Sequence, residues 1–375
     1  MTPAGRAKRE VVAEGGSLVE LIGSASVLIC CGSGGVGKTT TAAVLAMEAA
    51  RQGRRAAVVT IDPARRLANA MGLEGLSNEP SIVPGDWPGE LWALMLDTKS
   101  TFDALVVSHA ADEQQAERIL ANRFYQNISG ALSGTQEYMA TEKLYELHHD
   151  RDFDLVVVDT PPSRNALDFL DAPRRLARFL DHRLYRILMA PTRGAMRAVS
   201  AAAQAFVRSV TKVVGGEVFD DAITFFTAFD GMEKGFQERA EAVEALLADE
   251  STAFVLVASP RRDTVEEARF FAAKLAESGL QVRALVVNRM QPRFGTGLAE
   301  ATAARAETLA GTPIGGHYRN LAEMQIAADR EEQHLAELAA EVHPAPVIRV
   351  PLLATDVHDL DTLGLVADHL LARGL

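Results

Sequence analysis

The sequence predicts an α/β fold, a mostly parallel sheet flanked by helices, with an inserted helical subdomain. Short runs of continuous apolar residues alternate with segments of helical periodicity, which is typical of parallel strands covered on both faces. From Asn165 to about Glu250 helical patterns dominate without a clear strand, and that stretch is too long for a simple crossover. We therefore predict a first core part at 1–164 with a short helical segment at about 98–150, a helical subdomain at 165–250, and a second core part at 251–375.

In the first core part, each predicted strand is a short apolar run rich in Val, Leu or Ile, and each predicted helix has apolar residues at helical spacing. Residues 1–24 suggest a loose or strand-forming lead-in, and Gly75–Glu90 suggests a loop because of its Gly, Pro, Asn and Ser content. In chain order the predicted elements are a strand at Ala25–Cys31, a helix at Lys38–Gly53, strands at Arg55–Asp62 and Leu91–Leu96, a helix at Thr135–His149 and a strand at Phe153–Pro162.

In the rest of the chain, the segment Asp221–Phe229 fits a strand or a helix, and we favour a helix because its neighbours are helical. The second core part repeats the alternation of apolar strands and amphipathic helices. Its predicted elements are strands at Ala253–Ser259, Val282–Met290 and Ala345–Pro351, with helices around Thr264–Gly279 and from about Leu360 to Ala372.

The composition limits the classes of function. Of the 375 residues 48% are apolar and 23% are charged, with a formal net charge of −12 at pH 7. This charge disfavours non-specific binding to nucleic acid or to an anionic membrane surface, and no apolar run approaches the roughly 18 residues of a membrane span. The two cysteines are neighbours in a predicted strand, and no Cys-x-x-Cys occurs. We therefore expect a cytoplasmic protein without a nucleic-acid partner and without zinc.

The stretch from Gly32 to Thr39, GSGGVGKT, matches the pattern G-x-x-x-x-G-K-[ST] and is called the phosphate loop below. It stands between a predicted strand and a predicted helix, where glycines let backbone N–H groups curl around a phosphate. In such a loop the lysine, here Lys38, pairs with the outer phosphates, and the hydroxyl of Thr39 is a ligand of Mg²⁺. The sequence thus predicts a P-loop nucleotide-binding core for ATP and Mg²⁺. Its predicted nucleotide-binding residues in this segment are Gly34, Gly35, Val36, Gly37, Lys38, Thr39 and Thr40.

Two aspartates end predicted strands and complete the predicted catalytic site. Asp159 ends DLVVVD, where a carboxylate typically holds Mg²⁺ directly or through water. Asp62 ends AAVVTID, where it could orient or deprotonate the attacking water, so the predicted catalytic residues are Asp62 and Lys38. Either aspartate could instead cap a helix or stabilise a turn.

Two further strand ends predict a pocket for the base. Asn288 follows the strand RALVV, and its amide can donate and accept hydrogen bonds at an adenine edge. Pro351 follows the last predicted strand and could flank the ring. Both residues could equally be strand-end residues without a ligand.

Taken together, these motifs resemble the family of arsenite-pump (ArsA-type) and tail-anchored-protein targeting ATPases, from about Val27 to Leu371. The loop of that family is G-K-G-G-V-G-K-T-T, and the first switch is similar to TIDPARRLANAMG, which carries the family's catalytic aspartate over to Asp62. The second switch is similar to DTPPSRN, Asp159–Asn165. The resemblance implies a P-loop core with a helical subdomain, working in pairs that enclose two nucleotides and close with ATP.

The chain departs from this family at several positions. Ser33 stands where the family has a lysine that acts on the nucleotide of the partner subunit, and Arg164-Asn165 replaces Gly-His of the second switch. The metalloid-binding thiols and the zinc-binding Cys-x-x-Cys are absent. Three arrangements remain open: a heterodimer with a lysine-bearing related subunit, a slowly hydrolysing homodimer in which Arg164 or Arg65-Arg66 supplies the charge, and a monomeric or non-hydrolysing binder.

The predicted helical subdomain indicates what kind of partner the protein binds. Its apolar residues recur at helical spacing between Leu167 and Met189, which fits either a groove for a hydrophobic helix or a core packed against the sheet. The sequence therefore predicts a nucleotide-driven switch with slow ATPase activity and a hydrophobic client or membrane partner. The alternatives are an energy-coupling subunit of an anion exporter, a positioning ATPase, which the charge disfavours, and a binding module without turnover.

Overall fold

The computed structural model describes residues 17–62, 66–129, 135–161, 172 and 216–372. One sheet of eight strands organises the described chain, in the order β3-β4-β2-β5-β1-β6-β7-β8. All pairings are parallel except that of β3 with β4. The strands are β1 (Val27–Cys31), β2 (Arg55–Thr60), β3 (Ser81–Ile82), β4 (Glu90–Met95), β5 (Leu155–Asp159), β6 (Thr252–Ala258), β7 (Val282–Met290) and β8 (Val347–Pro351).

Helices cover both faces of this sheet, so the predicted α/β class with a mostly parallel sheet is confirmed. Helices join β1 to β2 and β6 to β7 as crossovers between parallel strands. The described helices are α1 (Leu18–Ser24), α2 (Lys38–Arg51), α3 (Arg66–Ala70), α4 (Thr98–His109), α5 (Glu113–Leu120), α6 (Arg123–Ile128), α7 (Thr135–His149), α8 (Gly216–Phe229), α9 (Glu233–Ala248), α10 (Arg262–Glu277), α11 (Ala299–Thr308), α12 (Pro313–Glu341) and α13 (Leu360–Leu370).

Two local predictions were wrong. The end of the lead-in 1–24 forms α1, which begins with a capping box between Ser17 and Glu20 and is too short to show a clear apolar period. The predicted loop Gly75–Glu90 contains β3, whose exposed residues pair with the edge of β4 through backbone groups and therefore leave no apolar pattern. The ambiguous segment Asp221–Phe229 is helical within α8, as predicted.

The predicted domain boundaries remain predictions, because most of 165–215 lies outside the described residues. The described end of the predicted subdomain, α8 and α9, is helical. No described helix is both long and apolar enough to cross a membrane.

The two faces of β1 enter two different cores. Leu28 and Cys30 pack with α2 and α13, whereas Val27, Ile29 and Cys31 pack with α7, α9, α10 and α12. A third cluster, rich in phenylalanine and tyrosine, joins α4, α5, α6 and α7 to α8 and α9. The phosphate loop begins directly after β1. Because β1 is buried on both faces, packing on both sides of the sheet fixes the position where the loop starts.

An ion pair between a half-buried arginine and a buried glutamate attaches α9 to α7. Nε of Arg239 donates to Oε2 of Glu142 at 2.8 Å, and the hydroxyl of Tyr138 donates to Oε1 of the same carboxylate at 2.6 Å. The guanidinium of Arg239 also lies 3.8 Å from the ring centroid of Tyr145. Glu142 is buried, so its negative charge depends on these partners.

We predict that Arg239→Ala lowers the free energy of unfolding by about 3 kcal/mol, because it leaves the Glu142 carboxylate buried and unpaired. The matched control is Lys234→Ala in the same helix, whose pair with Glu238 is exposed and is expected to contribute at most about 0.5 kcal/mol. Urea unfolding followed by circular dichroism measures both. Equal losses in the two variants would show that the buried pair contributes no more than the exposed one.

Candidate active site

The phosphate loop leaves β1 and enters α2 in direct contact with two neighbouring strands. A Cβ at Gly32 would lie 2.0 Å from the carbonyl oxygen of Val257 in β6, and a Cβ at Gly37 would lie 2.1 Å from Nδ2 of Asn288 in β7. Gly37 also has φ 99°, in the left-handed region. Only glycine fits these two positions, so the glycines permit the close approach that shapes the loop.

Lys38 opens α2 and folds back over the loop. Its Nζ donates to the carbonyl oxygens of Gly32 at 3.0 Å and Ser33 at 2.7 Å, and the side chain is buried. Burial lowers the pKa of Lys38, while the nearby carboxylate of Asp159 acts in the opposite direction. The loop therefore encloses a positive charge where the sequence predicts an anion site.

Asp159, the last residue of β5, lies beside the start of α2. Its Oδ2 accepts from Oγ1 of Thr39 at 2.7 Å and from Oγ1 of Thr60 at 2.8 Å. Its Oδ1 is buried and has no hydrogen-bond partner among the described residues. Burial raises the pKa of Asp159, and the two threonine hydrogen bonds and Lys38 partly offset this effect.

These oxygens fit Mg²⁺. The cation prefers oxygen ligands and is commonly held by one or two carboxylates together with substrate phosphates and water, so the partnerless Oδ1 of Asp159 and the adjacent hydroxyl of Thr39 are suitable donors. No cluster of three His, Cys, Asp or Glu side chains that could hold a metal occurs in the described part of the chain. Asp159 and Thr39 would supply two of the ligands of such a cation and leave the others to phosphate and water.

Asp62 lies two residues beyond the end of β2, at the same edge of the sheet. Its backbone N–H donates to Oγ1 of Thr60 at 3.2 Å, and that hydroxyl in turn donates to Asp159. The carboxylate lies 3.6 Å from the guanidinium of Arg66 and is partly exposed. Thr60 thus links both predicted acidic residues, and sequence reasoning missed it although it is a polar residue at the end of an apolar strand.

The side chain of Ser33 is buried within the loop. It is 4% exposed, and its hydroxyl has no hydrogen-bond partner among the described residues. Of the arginines predicted to substitute for the missing lysine, only Arg66 is described, and it pairs with Asp62. Arg65 and Arg164 lie outside the described residues. Asn165 of the second switch lies outside them as well.

The two residues predicted to flank the base lie near the ends of β7 and β8. Nδ2 of Asn288 donates to the carbonyl oxygen of Val36 at 2.9 Å, and its Oδ1 accepts from the N–H of Arg289 at 2.9 Å. Pro351 is half-buried and is opposite Met290 in the neighbouring strand. The structure thus brings Asn288 to the phosphate loop itself, a contact that the sequence analysis did not anticipate.

Sequence reasoning also missed Arg289, whose guanidinium donates to the carbonyl oxygen of Gly35 at 3.1 Å. The remaining predicted residues lie in or next to the loop: Gly34 precedes Gly35, and Thr40 follows Thr39 in the first turn of α2. The only signal for Arg289 in the sequence is its position directly after Asn288.

Comparison with known proteins agrees with this geometry. A family model described as anion-transporting ATPase matches residues 25–306. The chain belongs to the anion-transporting ATPase family. The match includes the phosphate loop, both strand-end aspartates and Asn288, so the resemblance to ArsA-type ATPases inferred from the motifs is confirmed.

Relatives within this family differ in how much of their length the chain spans. The chain is 31% identical over 266 residues to the uncharacterized protein SCO2128 of Streptomyces coelicolor, covering 71% of this chain and 62% of the relative. It is 24% identical to the ATPase GET3 of Malassezia globosa, covering 92% of this chain and 90% of the relative. It is 28% identical to the arsenical pump-driving ATPase of Acidiphilium multivorum, covering 71% of this chain and 39% of the relative.

We predict that Asp159→Asn stabilises the nucleotide-free protein. Burial raises the pKa of Asp159 above its unfolded value, so the ionised carboxylate is less favourable in the folded state. The wild-type free energy of unfolding should therefore fall as pH rises from the unfolded to the folded pKa of this group. The neutral amide removes this contribution, and we expect a melting temperature higher by about 2 °C at pH 7.5.

Thermal unfolding at pH 7.5 with and without Mg·ATP tests this prediction. The variant should also lose most of the stabilisation that Mg·ATP gives the wild type. Lower stability of the free variant would contradict the inference that the buried, ionised carboxylate of Asp159 destabilises the nucleotide-free protein.

Proposed function

We propose that the chain binds Mg·ATP in the phosphate loop and hydrolyses it slowly, as a nucleotide-driven switch. The observation that carries this proposal is the arrangement of Lys38 and Asp159. The lysine ammonium is enclosed by the loop, while the Asp159 Oδ1, which has no partner among the described residues, lies beside the first turn of the following helix. Positive charge and an oxygen donor set thus stand where a nucleotide with its cation requires them.

Each residue then has a distinct role in phosphoryl transfer to water. The backbone N–H groups of the phosphate loop and Thr40 bind the phosphates, and Lys38 stabilises negative charge on the outer ones. Thr39 and Asp159 would hold Mg²⁺, which neutralises charge on the phosphates when it is bound. Asp62, partly exposed at the same sheet edge, orients the attacking water and accepts its proton. Asn288 and Pro351 flank the base.

The switch works as a pair of ATPase subunits in this proposal. Ser33 offers only a neutral, buried hydroxyl, and the absence of a partner-directed lysine would cost on the order of 10³-fold in rate. The second subunit is either another copy of the chain or a related subunit that carries the lysine. In both cases we place the protein in the cytoplasm, with no zinc at the interface.

The partner that responds to the switch is a hydrophobic helix or a membrane protein. Support comes from a relative named ATPase GET3, of which the chain covers 90%, and from the apolar residues that recur at helical spacing in the sequence between Leu167 and Met189, a segment in which only residue 172 is described. The second candidate is an energy-coupling subunit for anion export, favoured by the relative named arsenical pump-driving ATPase. An exporter role based on metalloid binding by thiols is disfavoured, because both cysteines are buried in β1. Burial also raises the pKa of each thiol, which disfavours the thiolate that would bind a metalloid.

We predict that the wild type releases phosphate from Mg·ATP slowly, and that Ser33→Lys raises the rate at least about 10-fold while promoting dimers with Mg·ATP, because the added charge reaches the nucleotide of the second subunit. Lys38→Ala should abolish turnover. Ser33→Gln is the matched control, since it adds a long but neutral side chain. Phosphate release and light scattering measure both properties in the same buffer.

Wild-type phosphate release no faster than that of Lys38→Ala would contradict the proposed hydrolysis. If the wild type already forms dimers with ATP and Ser33→Lys increases neither dimer formation nor phosphate release, another group supplies the charge. That result would remove the support for a related subunit that carries the lysine. Stimulation of the wild type by an oxyanion, with no effect of hydrophobic helical peptides, would favour the exporter role.

A further inference from the structure

Two consecutive residues of β7 hold the outer side of the phosphate loop. Nδ2 of Asn288 donates to the carbonyl oxygen of Val36 at 2.9 Å, and the guanidinium of Arg289 donates to the carbonyl oxygen of Gly35 at 3.1 Å. We refer to this pair of side chains as the Asn288–Arg289 clamp. The clamp fixes two successive peptide groups of the loop from outside.

The direction of these two peptide groups decides what the loop can bind. In a planar trans peptide the carbonyl and the following N–H point in opposite directions. Carbonyls of Gly35 and Val36 that are held towards β7 therefore turn the N–H groups of Val36 and Gly37 away from β7. Neither of these N–H groups donates to a backbone carbonyl in the described part of the chain, so both are available to an anion.

The backbone of β7 is distorted where the clamp is formed. Successive side chains of a regular strand point to opposite faces, so two neighbours would not ordinarily reach the same loop. Here Arg289 has φ 62°, in the left-handed region, and the register with β8 shifts between Val287 and Met290. Such a backbone is unfavourable for a residue other than glycine and tends to persist at functional sites.

The charge and packing of the clamp also suit an anion site. The side chain of Arg289 is exposed, and no described carboxylate lies within ion-pair distance of it. Its positive charge is therefore not neutralised by another described residue. On the other side, Nδ2 of Asn288 approaches so closely that a Cβ at Gly37 would lie 2.1 Å away.

We propose that Arg289 is a positioning residue for phosphate binding, acting with Asn288 to orient the N–H groups of Val36 and Gly37 towards the phosphates. This inference rests on the proposed function, because it assumes that the loop binds a nucleotide. It assigns the guanidinium to the loop backbone of its own chain and does not require a second subunit.

Arg289→Gly tests the inference with little added strain, since glycine accepts the left-handed backbone while the guanidinium is removed. By calorimetric titration with Mg·AMP-PNP, we expect affinity to fall about 10-fold, the cost of one charge-assisted hydrogen bond. Arg289→Lys should recover part of the loss because an ammonium can donate to the same carbonyl. Arg283→Ala, an exposed arginine near the other end of β7, is the matched control and should bind like the wild type.

Melting temperatures of the nucleotide-free proteins separate positioning from a merely structural role. We expect Arg289→Gly to melt at or above the wild-type temperature. If the wild type binds the analogue and Arg289→Gly binds it equally well, the clamp is refuted while the proposed function stands. A weakened variant that also melts lower and is not recovered by lysine would overturn the positioning role in favour of a structural one. If the wild type itself does not bind the analogue, the proposed function fails and the inference fails with it.

Discussion

The close contact between the phosphate loop and the strands beside it is the constraint on which the rest of the site depends. Gly32 lies against the carbonyl of Val257, and Gly37 lies against the side-chain amide of Asn288. Both contacts are too close to leave room for a side chain at the glycine. This contact fixes the loop at both ends between β1 and α2. The ammonium of Lys38 lies against the loop carbonyls, so the proposed anion site depends on backbone packing rather than on charged side chains at the surface.

The order of the strands brings the two acidic residues of the site close to the phosphate loop. Because β5 lies between β1 and β2, the carboxylate of Asp159 emerges beside the start of α2 and beside Thr60. Parallel strands end at the same edge of a sheet, where ligand sites of α/β proteins commonly form. Asp62 reaches this edge by following β2, and its N–H is bonded to the hydroxyl that holds Asp159. One threonine therefore couples Asp159 and Asp62, the residues proposed to bind the cation and to orient the water.

Much of this arrangement could be predicted from the sequence, because the information is local. The apolar runs predict the core strands, and the glycine pattern predicts the phosphate loop. Because parallel strands end at one edge of the sheet, the aspartates at their ends could be predicted to lie close together. The contacts that depend on distant parts of the chain could not be predicted. Arg289 meets Gly35 where β7 is distorted at its end, and the contact of the Asn288 amide with the loop was not predicted, while its role at the base stays a prediction. The 29-residue helix α12 was not anticipated either, since its buried positions are few and widely spaced.

A crystal structure of the chain with Mg²⁺ and a non-hydrolysable ATP analogue tests the central claim most directly. We predict the phosphates inside the loop, contacted by the ammonium of Lys38 and by the N–H groups of Val36 and Gly37, with Mg²⁺ beside Thr39 and Asp159. Nucleotide bound elsewhere, or a loop in which the carbonyls of Gly35 and Val36 turn inward to displace the phosphates, would contradict it.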